Sequence, residues 1–432
     1  MNAAAPGNAE KAAWHFLSPE YPPQRGGVGD VARAIARQFA ENGGEVHVWT
    51  GRDAKTPAGQ TNDDGVRVHR LGGNFGLAGI RQLHRGLDAE RFPPRRRLRL
   101  FLHWVPHGYG MHSLNLFLPL WLLLRAWLRR DHVDVFIHEP GVDWSGKLRE
   151  RVAAAVHRAM LLVLLLAARR VWLSTPAWEK RVLPWLRLWG KAKFARTPVR
   201  WLPLRLDLPV VASSAESRAA YRATLGSGNA TLLGHFGTFG EVITGMLTPV
   251  LERVCAARPE VYLLLLGRGS QAYCQRLASS HPHWAGRLHF LDGAEGAQIS
   301  MALSACDLLL QPFPDGVTTR RTSVLAGLAH GRAIISNPGH LTELTLWREA
   351  GAVHLVTTDE KNEAAADAWA KTIGQLLADS QAREALATRG RNFYNKHFVQ
   401  CDYRELLEEN PLENDASRSD KSSHPSGGQT PI

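Results

Sequence analysis

Short apolar runs, typical of buried strands, alternate along the chain with amphipathic stretches of helical period. After AWHFLS near the N-terminus, the runs of the first half are EVHVWTG, VRVHRLGG, RLRLFLHWV, VDVFIHEP and RRVWLST. Between AWHFLS and EVHVWTG, the apolar residues Val31, Ala34, Ile35 and Phe39 recur at the spacing of one helix face. This alternation predicts a parallel sheet that is covered by helices on both faces.

The pattern changes over residues 199–217, where prolines and small polar residues predict a connection between domains. A second series of runs then follows: TLLGHFG, VYLLLLGRG, RLHFLDG, CDLLLQPF and RAIISNPG. These are almost continuously apolar, as strands buried on both faces are. We therefore predict an α/β fold of two doubly wound Rossmann-like domains that face each other across a cleft.

The length of 432 residues is too great for one ordinary core and suits two domains. We expect an N-terminal domain over 13–207 and a C-terminal domain over 208–385. A helix over 386–408 could pack back on the N-terminal domain. Residues 1–12 are expected to be flexible, and the polar, Pro/Gly/Ser-rich residues 409–432 to form a disordered tail.

The four cysteines give no sign of a metal site or of disulfides. Cys255, Cys274, Cys306 and Cys401 are widely spaced and form no CxxC pair, which argues against a zinc site or a disulfide framework. We expect neither a metal nor a cofactor. The N-terminus lacks the basic region and long apolar stretch of a secretory signal, so a cytoplasmic location is expected.

The chain carries a formal net charge of +12. One run of basic residues has a high local density of positive charge. The run RFPPRRRLRL contains Arg91, Arg95, Arg96, Arg97 and Arg99. Such a run can meet anionic lipid headgroups or nucleic acid, although most charge runs are solvated loops. No nucleic-acid motif accompanies it, so nucleic acid is not an expected partner.

Two apolar stretches raise the question of membrane contact. Both LNLFLPLWLLLRAWLRR (114–130) and AMLLVLLLAARR (159–170) are interrupted before they reach the roughly 20 apolar residues of a spanning helix. The first could lie in a membrane interface, with Trp121 and Trp127 at headgroup depth beside Arg125, Arg129 and Arg130. The second is interpreted as core. Peripheral contact with an anionic membrane is therefore one hypothesis.

Glycine clusters follow several strands, at the ends where open parallel sheets bind ligands. The first is SPEYPPQRGGVGD, in which Gly26, Gly27 and Gly29 precede a helix expected to start near Asp30. Others are GHFGTFG (234–240) and LGRGS (266–270). Glycines here either make tight turns or let backbone N–H groups approach a ligand. Because the clusters recur before helices, we favour contact with phosphate.

The segment QPFPDGVTTRRTSVLAGLAHG places two cations at a predicted helix start. Asp315 and Gly316 turn the chain, and Arg320 and Arg321 follow. Basic residues are unfavourable at a helix N-terminus, and an anionic ligand would resolve the conflict. Guanidinium groups bind diphosphate in a bidentate manner. The alternative is that the pair binds carboxylates of its own domain.

Several of these segments, in order, resemble the glycosyl transferases group 1 family (family 4-like) of GT-B glycosyltransferases. They are SPEYPPQRGGVGD, VHVWTG, FIHEP, VWLSTPAW, LLLGRGS and DGVTTRRTSVLAGLAHG, and the similarity runs from about residue 13 to 357. The resemblance implies retaining transfer of a sugar from a nucleotide diphosphate sugar, without an obligatory metal, to a glycan, lipid or small-molecule acceptor. It also implies that the donor binds mainly to the C-terminal domain and the acceptor mainly to the N-terminal one.

The expected site residues come partly from the resemblance and partly from the residues themselves. His138, in the HEP motif, matches the family's cleft histidine, and with Asp315, Arg320 and Arg321 it forms the expected catalytic set. Acceptor binding is expected at Arg25, His107, Tyr109 and Glu139. Donor binding is expected at Gly26, Gly27, Gly29, Gly237, Thr238, Gly267, Arg268, Gly269, Gly316, Thr318, Thr319, Thr322 and Ser323.

The chain departs from the family pattern in two respects. The basic pair that follows the first C-terminal strand in the family is absent from GTFGEVITG. Of the family's two glutamates, Asp315 stands near the first, and Ala326 or Ser323 stands where the second would fall. Either Arg320 and Arg321 replace the missing cations, or activity has been lost. The alternatives are a non-catalytic nucleotide-sugar binding protein and an epimerase of the same architecture.

Overall fold

The computed structural model describes residues 13–24, 26–52, 56–90, 97–110, 114–142, 144, 146–204, 206, 208–357, 363–399 and 402–403. These residues divide into two compact units. The first takes the described residues up to Trp172, those of Pro184–Arg200, and 402–403. The second takes Leu173–Leu183 and the described residues from Trp201 to 399.

The first unit is built on an eight-stranded sheet with the order β3-β4-β2-β1-β5-β6-β7-β8. Strands β1, β2, β4, β5 and β6 pair in parallel, and β3 pairs antiparallel with β4 at the edge. The strands are β1 Trp14–Ser18, β2 Val46–Thr50, β3 Gly59–Asp63, β4 Val66–Arg70, β5 Arg99–Trp104, β6 His132–Ile137, β7 Arg170–Leu173 and β8 Val199–Trp201.

The helices that belong with this sheet follow the strands in the predicted alternation. They are α1 Gly27–Glu41, α2 Leu77–Ala89, α3 Phe117–Leu124, α4 Leu148–Ala167, α5 Glu179–Arg187 and α6 Lys191–Arg196. Helix α3 continues as a π-helix over Arg125–Arg129, and a short 3-10 helix covers Pro106–Gly108. A second 3-10 helix, Pro176–Trp178, and the beginning of α5 lie in this part of the chain but belong to the second unit. Helix α1 begins at Gly27 and not near Asp30 as predicted, so Gly27 and Gly29 lie inside its first turn.

The second unit has a six-stranded sheet with the order β11-β10-β9-β12-β13-β14, in which every pair is parallel. Its strands are β9 Leu232–Phe236, β10 Tyr262–Leu266, β11 Leu288–Leu291, β12 Leu308–Gln311, β13 Ala333–Ser336 and β14 His354–Leu355. Its helices are α7 Ala215–Thr224, α8 Glu241–Ala257, α9 Ser270–Ser280, α10 Gly296–Ala305, α11 Thr322–Ala329, α12 Leu344–Ala350, α13 Glu363–Ala378 and α14 Ser380–Tyr394, with a 3-10 helix over Pro282–Arg287 and a π-helix over Asn395–Val399.

Two parallel-sheet units confirm the predicted α/β class with two Rossmann-like domains, and each predicted run contains an observed strand. The runs form strands because their side chains are buried on both faces. In the second unit, Leu263 and Leu265 alternate with Leu264 and Leu266, and all four are buried. Leucines of β10 and β12 share a core with residues of α8 and α13.

The unit boundaries differ from the predicted boundary near residue 207. Leu173–Leu183 belongs to the second unit, because Thr175 hydrogen-bonds Glu343 and Trp178 lies under the Arg320 guanidinium. Helix α14 lies across the predicted boundary at 385 and packs against α11 and β13 of the second unit. At Tyr403 the chain is again in the first unit, where its N–H donates to Gln38 Oε1 at 3.1 Å. The predicted flexible N-terminus and tail lie outside the described residues, as does Cys401.

The Trp-rich segment 114–130 is anchored by a buried arginine. Arg125 has a 2% exposed side chain, and its Nε donates to Asp131 at 2.7 Å and its Nη1 to Asp88 at 2.8 Å. The prediction that Arg125 lies beside two tryptophans at headgroup depth is therefore wrong for Arg125. Of the two tryptophans, Trp121 is half-buried and Trp127 is exposed. The second apolar stretch is largely core, as predicted, with Met160, Leu161, Leu164 and Leu165 buried.

Of the basic run, Arg91, Arg95 and Arg96 lie outside the described residues. Arg97 is exposed, and the Arg99 guanidinium lies 5.3 Å from the centre of the Trp14 ring. Among the helices of the described ranges, none has both the length and the apolar content needed to cross a membrane.

The buried ion pair provides a test of the fold of the first unit. We expect Arg125→Met to lower the free energy of unfolding by about 3 kcal/mol, because it leaves the buried Asp131 carboxylate without its guanidinium. Arg129, which pairs with Asp88 at 3.3 Å on the surface, is the matched control, and Arg129→Met should cost less than about 1 kcal/mol. Urea unfolding measures both, and equal costs would contradict a buried anchor.

Candidate active site

Each sheet has a point at which the strand order reverses, and ligands of open parallel sheets bind there, beyond the carboxyl ends of the strands. In the second unit this point lies between β9 and β12. In the first unit it lies between β1 and β5. The predicted site residues follow these strands and their neighbours.

The glycines after β9 and β10 bring two loops into contact. Gly267 has a φ of +111°, and a Cβ on it would lie 2.2 Å from the Gly237 carbonyl oxygen. The Gly237 N–H donates to Leu266 at 2.9 Å, and the Gly267 N–H donates to Leu291 at 2.8 Å. These two amides are therefore occupied by carbonyls of neighbouring strands, and the prediction that they serve phosphate is corrected to a packing role.

The next residues of these loops differ in exposure and in partners. Thr238 and Arg268 are exposed. The N–H of Gly269, at the start of α9, donates to Asp292 Oδ2 at 2.9 Å. This carboxylate therefore occupies the helix N-terminus at which an anion was predicted.

The loop after β12 gathers the two predicted arginines around one carboxylate. Arg320 Nη2 donates to Asp315 Oδ2 at 3.2 Å, and Arg321 Nη2 donates to Asp315 Oδ1. The Arg320 guanidinium lies 5.5 Å from the Trp178 ring centre, and that of Arg321 lies 4.5 Å from the Phe313 ring centre. The arginine pair thus binds a carboxylate of its own unit, the alternative that the sequence left open. We call Asp315, Arg320 and Arg321 the arginine cluster.

Close backbone packing holds the arginine cluster in place. Gly316 has a φ of +86°, and a Cβ there would lie 2.2 Å from the Gly339 nitrogen. Only glycine allows the loop after β12 to approach the loop after β13 so closely. The cluster is therefore fixed by two strand ends.

Glu343 is a site residue that the sequence analysis missed. It precedes α12, and its carboxylate accepts the Thr319 N–H at 3.2 Å, the Thr319 hydroxyl at 2.7 Å and the Trp347 indole N–H at 3.0 Å. Thr318 is buried, and Thr322 is exposed at the first position of α11. Ser323 Oγ lies 3.4 Å from Gln311 Oε1. Thr319 is consequently a structural partner of Glu343 in this structure.

In the first unit a carboxylate lies at the start of α1. Glu20 Oε1 accepts the Val28 N–H at 3.0 Å and the Gly29 N–H at 3.1 Å. A Cβ on Gly26 would lie 2.0 Å from that carboxylate, whereas a Cβ on Gly27 would meet nothing within 4 Å. Glu20 was also missed, although it stands in the same glycine-rich motif. Arg25, predicted to bind acceptor, lies outside the described residues.

His138 lies at the end of β6 and forms a pair with a second histidine. His138 Nε2 is 3.0 Å from His103 Nδ1, and the His138 N–H donates to Trp104 at 2.9 Å. Burial, together with the neighbouring His138, holds the pKa of His103 well below its usual range. His103 is therefore neutral at physiological pH.

Two predicted acceptor residues follow β5 and have opposite environments. Tyr109 is fully buried, and its hydroxyl is 2.7 Å from the His103 carbonyl oxygen, to which it donates. This corrects its assignment, because a core tyrosine with a satisfied hydroxyl does not contact an acceptor. His107 is exposed, with its ring centre 5.3 Å from that of His157. Glu139 is half-buried.

One group of side chains among the described residues could hold a metal ion. The ligand atoms of Glu45, His47 and Glu90 lie within 4.8 Å of one another. His47 Nδ1 is also 3.0 Å from His69 Nε2. The group lies near the amino end of β2, at the opposite edge of the sheet from His138.

The loop contact in the second unit is tested with two glycines of positive φ. Gly267→Ala should lower the free energy of unfolding by about 3 kcal/mol, because the added methyl group meets the Gly237 carbonyl. Gly293 has a φ of +71° and nothing within 4 Å of its Cβ position, so Gly293→Ala should cost only about 1 kcal/mol of backbone strain. Chemical unfolding compares them, and a Gly267 variant as stable as the Gly293 variant would refute the contact.

The buried His235 beneath this loop predicts a dependence on pH. Burial lowers its pKa from 6.5 to about 4, although a hydrogen bond to Leu310 opposes the shift. Below pH 6.5 the unfolded chain therefore binds more protons, so stability should fall as the pH drops from 6.5 to 4. Over the same pH range, the free energy of unfolding should fall less for the His235→Asn variant than for the wild type, by on the order of 3 kcal/mol. Unfolding free energies across this range test it, and parallel curves for both proteins would contradict it.

Comparison with known proteins shows the fold. No model of a protein family matches the sequence, and no curated protein matches it. Among solved structures, sucrose-phosphate synthase from Thermosynechococcus elongatus is 17% identical, with a TM-score of 0.65 over 96% of this chain and 100% of that one. Anabaena HepE in complex with UDP is 15% identical, with a TM-score of 0.60 over 95% and 100%.

A putative UDP-N-acetylglucosamine 2-epimerase from Listeria monocytogenes is 11% identical, with a TM-score of 0.52 over 93% of this chain and 98% of that one. At these identities the similarity is one of fold. The chain therefore has the GT-B fold.

Proposed function

We propose that the protein is a retaining glycosyltransferase that moves a sugar from a nucleotide diphosphate sugar to a glycan, lipid or small-molecule acceptor. The observation that carries the proposal is the arginine cluster at the strand-order reversal of the second unit. Two guanidinium groups at the carboxyl end of β12 stand where ligands of such sheets bind. The structure of HepE with UDP supports a nucleotide as the ligand class.

The proposed role of the cluster is to bind the diphosphate in exchange for Asp315. Departure of the nucleoside diphosphate places negative charge on its terminal phosphate. Arg320 and Arg321 can offer that phosphate the donors that they now direct to Asp315, since carboxylate and phosphate are both bound by paired guanidinium N–H groups. The rings of Trp178 and Phe313 restrict the two side chains, so little reorganisation accompanies the exchange.

The exposed residues of the neighbouring loops complete the proposed donor site. Arg268 and Thr238 lie after β10 and β9, at the same edge of the sheet as the cluster. We propose that they contact the phosphates or the nucleoside, and that Gly237 and Gly267 keep their loops closely packed. In this proposal the compensating cations are arginines, and no metal ion is needed for the leaving-group charge.

On the first unit, we propose that His138 binds the transferred sugar. Its hydrogen bond to the neutral His103 orients the imidazole at the end of β6. A positioned imidazole can hydrogen-bond a sugar hydroxyl and stabilise the reacting geometry. His107 and Glu139 are the proposed acceptor-side residues, while Tyr109 is left out because it belongs to the core.

A non-catalytic nucleotide-sugar binding protein is the second candidate. This candidate is supported by four carboxylates that already accept hydrogen bonds from groups predicted to bind an anionic ligand. They are Glu20, Asp292, Asp315 and Glu343. Calorimetric binding of nucleotides together with an assay of nucleoside diphosphate release separates the candidates. Binding without turnover across many acceptors would favour the binder, and sugar isomerisation without an acceptor would favour an epimerase.

The arginine cluster makes a quantitative prediction for the transferase. Arg320→Ala or Arg321→Ala should reduce kcat/KM by an amount equivalent to about 2 to 4 kcal/mol of transition-state stabilisation. Arg348 on α12 is an exposed arginine outside the cluster, and Arg348→Ala is the matched control. Rates are measured with the nucleotide sugar that gives the largest thermal shift in a screen, with and without a chelator.

Thermal unfolding of each variant without ligand shows whether the fold is kept. A folded Arg320 variant and a folded Arg321 variant that both turn over as fast as the Arg348 control would remove the cluster from the mechanism. Loss of activity on chelation would contradict the metal-independent form of the proposal.

A further inference from the structure

Helix α3 and its π-helical extension present an apolar face to solvent. Phe117 is 56% exposed, Trp127 60% and Leu128 75%, and Leu120 and Leu124 are exposed between them. These positions recur at helical spacing and so share one side of the helix. The other side, with Leu118, Leu122 and Arg125, is buried. Large exposed apolar patches are uncommon on monomeric proteins and mark interaction sites.

Helix α4 packs against α3 and carries exposed apolar residues of its own. Leu148 is 78% exposed and Val152 51%. Ala155 and Ala159 continue the same side of α4 and are also exposed. We call the exposed side of Phe117–Leu128 together with these residues of α4 the α3–α4 face.

The charges beside this face are mostly positive. The segment 114–130 contains no acidic residue, and Arg129 and Arg130 at its end are exposed. The start of α4 adds the exposed cations Lys147, Arg149 and Arg151. The single acid among them, Glu150, accepts the Lys147 N–H at 3.2 Å. The surroundings of the face therefore complement a negatively charged partner.

We propose that the α3–α4 face binds the surface of an anionic lipid bilayer. Leucine and phenylalanine side chains would enter the boundary between headgroups and acyl chains, to a depth of about 5 to 10 Å. Tryptophan prefers that boundary, and the cations would contact anionic headgroups. The buried Arg125 keeps the apolar side facing outward, because its ion pairs with Asp88 and Asp131 fix the rotation of the helix.

The position of the face has a consequence for the acceptor. Helices α3 and α4 follow β5 and β6, so Phe117 and Leu148 lie toward the sheet edge that carries His107 and His138. A bilayer on the face would bring lipid headgroups toward the acceptor side of the first unit. The acceptor would then be lipid-linked. This consequence rests on the proposed function, whereas the membrane binding itself does not.

The test uses the full chain and two kinds of vesicle, one of phosphatidylcholine alone and one that also contains phosphatidylglycerol. We expect co-sedimentation with the anionic vesicles, and weaker binding as salt rises. The double variant Leu124→Ser/Leu128→Ser should bind at least about tenfold more weakly, because it removes two apolar side chains from the boundary.

The matched control changes two exposed apolar residues elsewhere. Leu188 is 66% exposed and Val242 61%, and Leu188→Ser/Val242→Ser should bind vesicles as the wild type does. A second arm, Lys147→Gln/Arg149→Gln, should weaken binding to anionic vesicles by about tenfold or more and leave a smaller salt dependence. No nucleotide sugar is used, so failure of this test is distinct from failure of the proposed enzyme.

Three outcomes would overturn the proposal. The first is equal binding to neutral and anionic vesicles, or none to either. The second is unchanged binding by a folded Leu124→Ser/Leu128→Ser variant. The third is a wild-type dimer that this variant converts to a monomer, which would assign the α3–α4 face to a second copy of the chain.

Discussion

The candidate site depends on one interaction. Carboxylates compensate the positive charge that gathers at the carboxyl ends of the parallel strands. Parallel sheets direct helix N-termini and loop amides toward one edge, where positive potential accumulates. In the second unit Arg320 and Arg321 add two full charges there, and Asp315 binds both. Glu343 and Glu20 accept amides at other strand ends. The chain thus supplies, from its own side chains, anions at the positions where a diphosphate is proposed to bind.

The loops that carry these groups are held by close backbone packing. Gly316 against Gly339 and Gly267 against Gly237 allow approaches that no larger residue permits. Such packing limits the movement of the loops, so that an exchange of anions would be local. In the proposed enzyme, a nucleoside diphosphate would replace one carboxylate and leave the surrounding scaffold unchanged. Electrostatic stabilisation by fixed groups of this kind is a main source of catalysis in group transfer.

Much of the fold could be predicted because buried parallel strands are continuous apolar runs, which are local signals. The edge strand Gly59–Asp63 was not predicted, because it is polar and exposed and is defined only by its pairing with β4. Site residues were harder to predict for the same reason, because contacts with residues distant in the sequence define them. Glu20 and Glu343 accept donors that lie 8 to 9 and 24 residues away. Tyr109 stands in a glycine-rich loop typical of binding sites, yet its ring is core. Spacing along the chain does not show which way such side chains point.

A structure of the full chain with a bound nucleoside diphosphate would test directly whether the diphosphate replaces Asp315 at Arg320 and Arg321. We expect phosphate oxygens within hydrogen-bond distance, about 2.7 to 3.2 Å, of the guanidinium nitrogens of Arg320 and Arg321, with Asp315 released from at least one of them. A nucleotide bound elsewhere while Asp315 still holds both arginines would show that the arginine cluster does not bind the diphosphate.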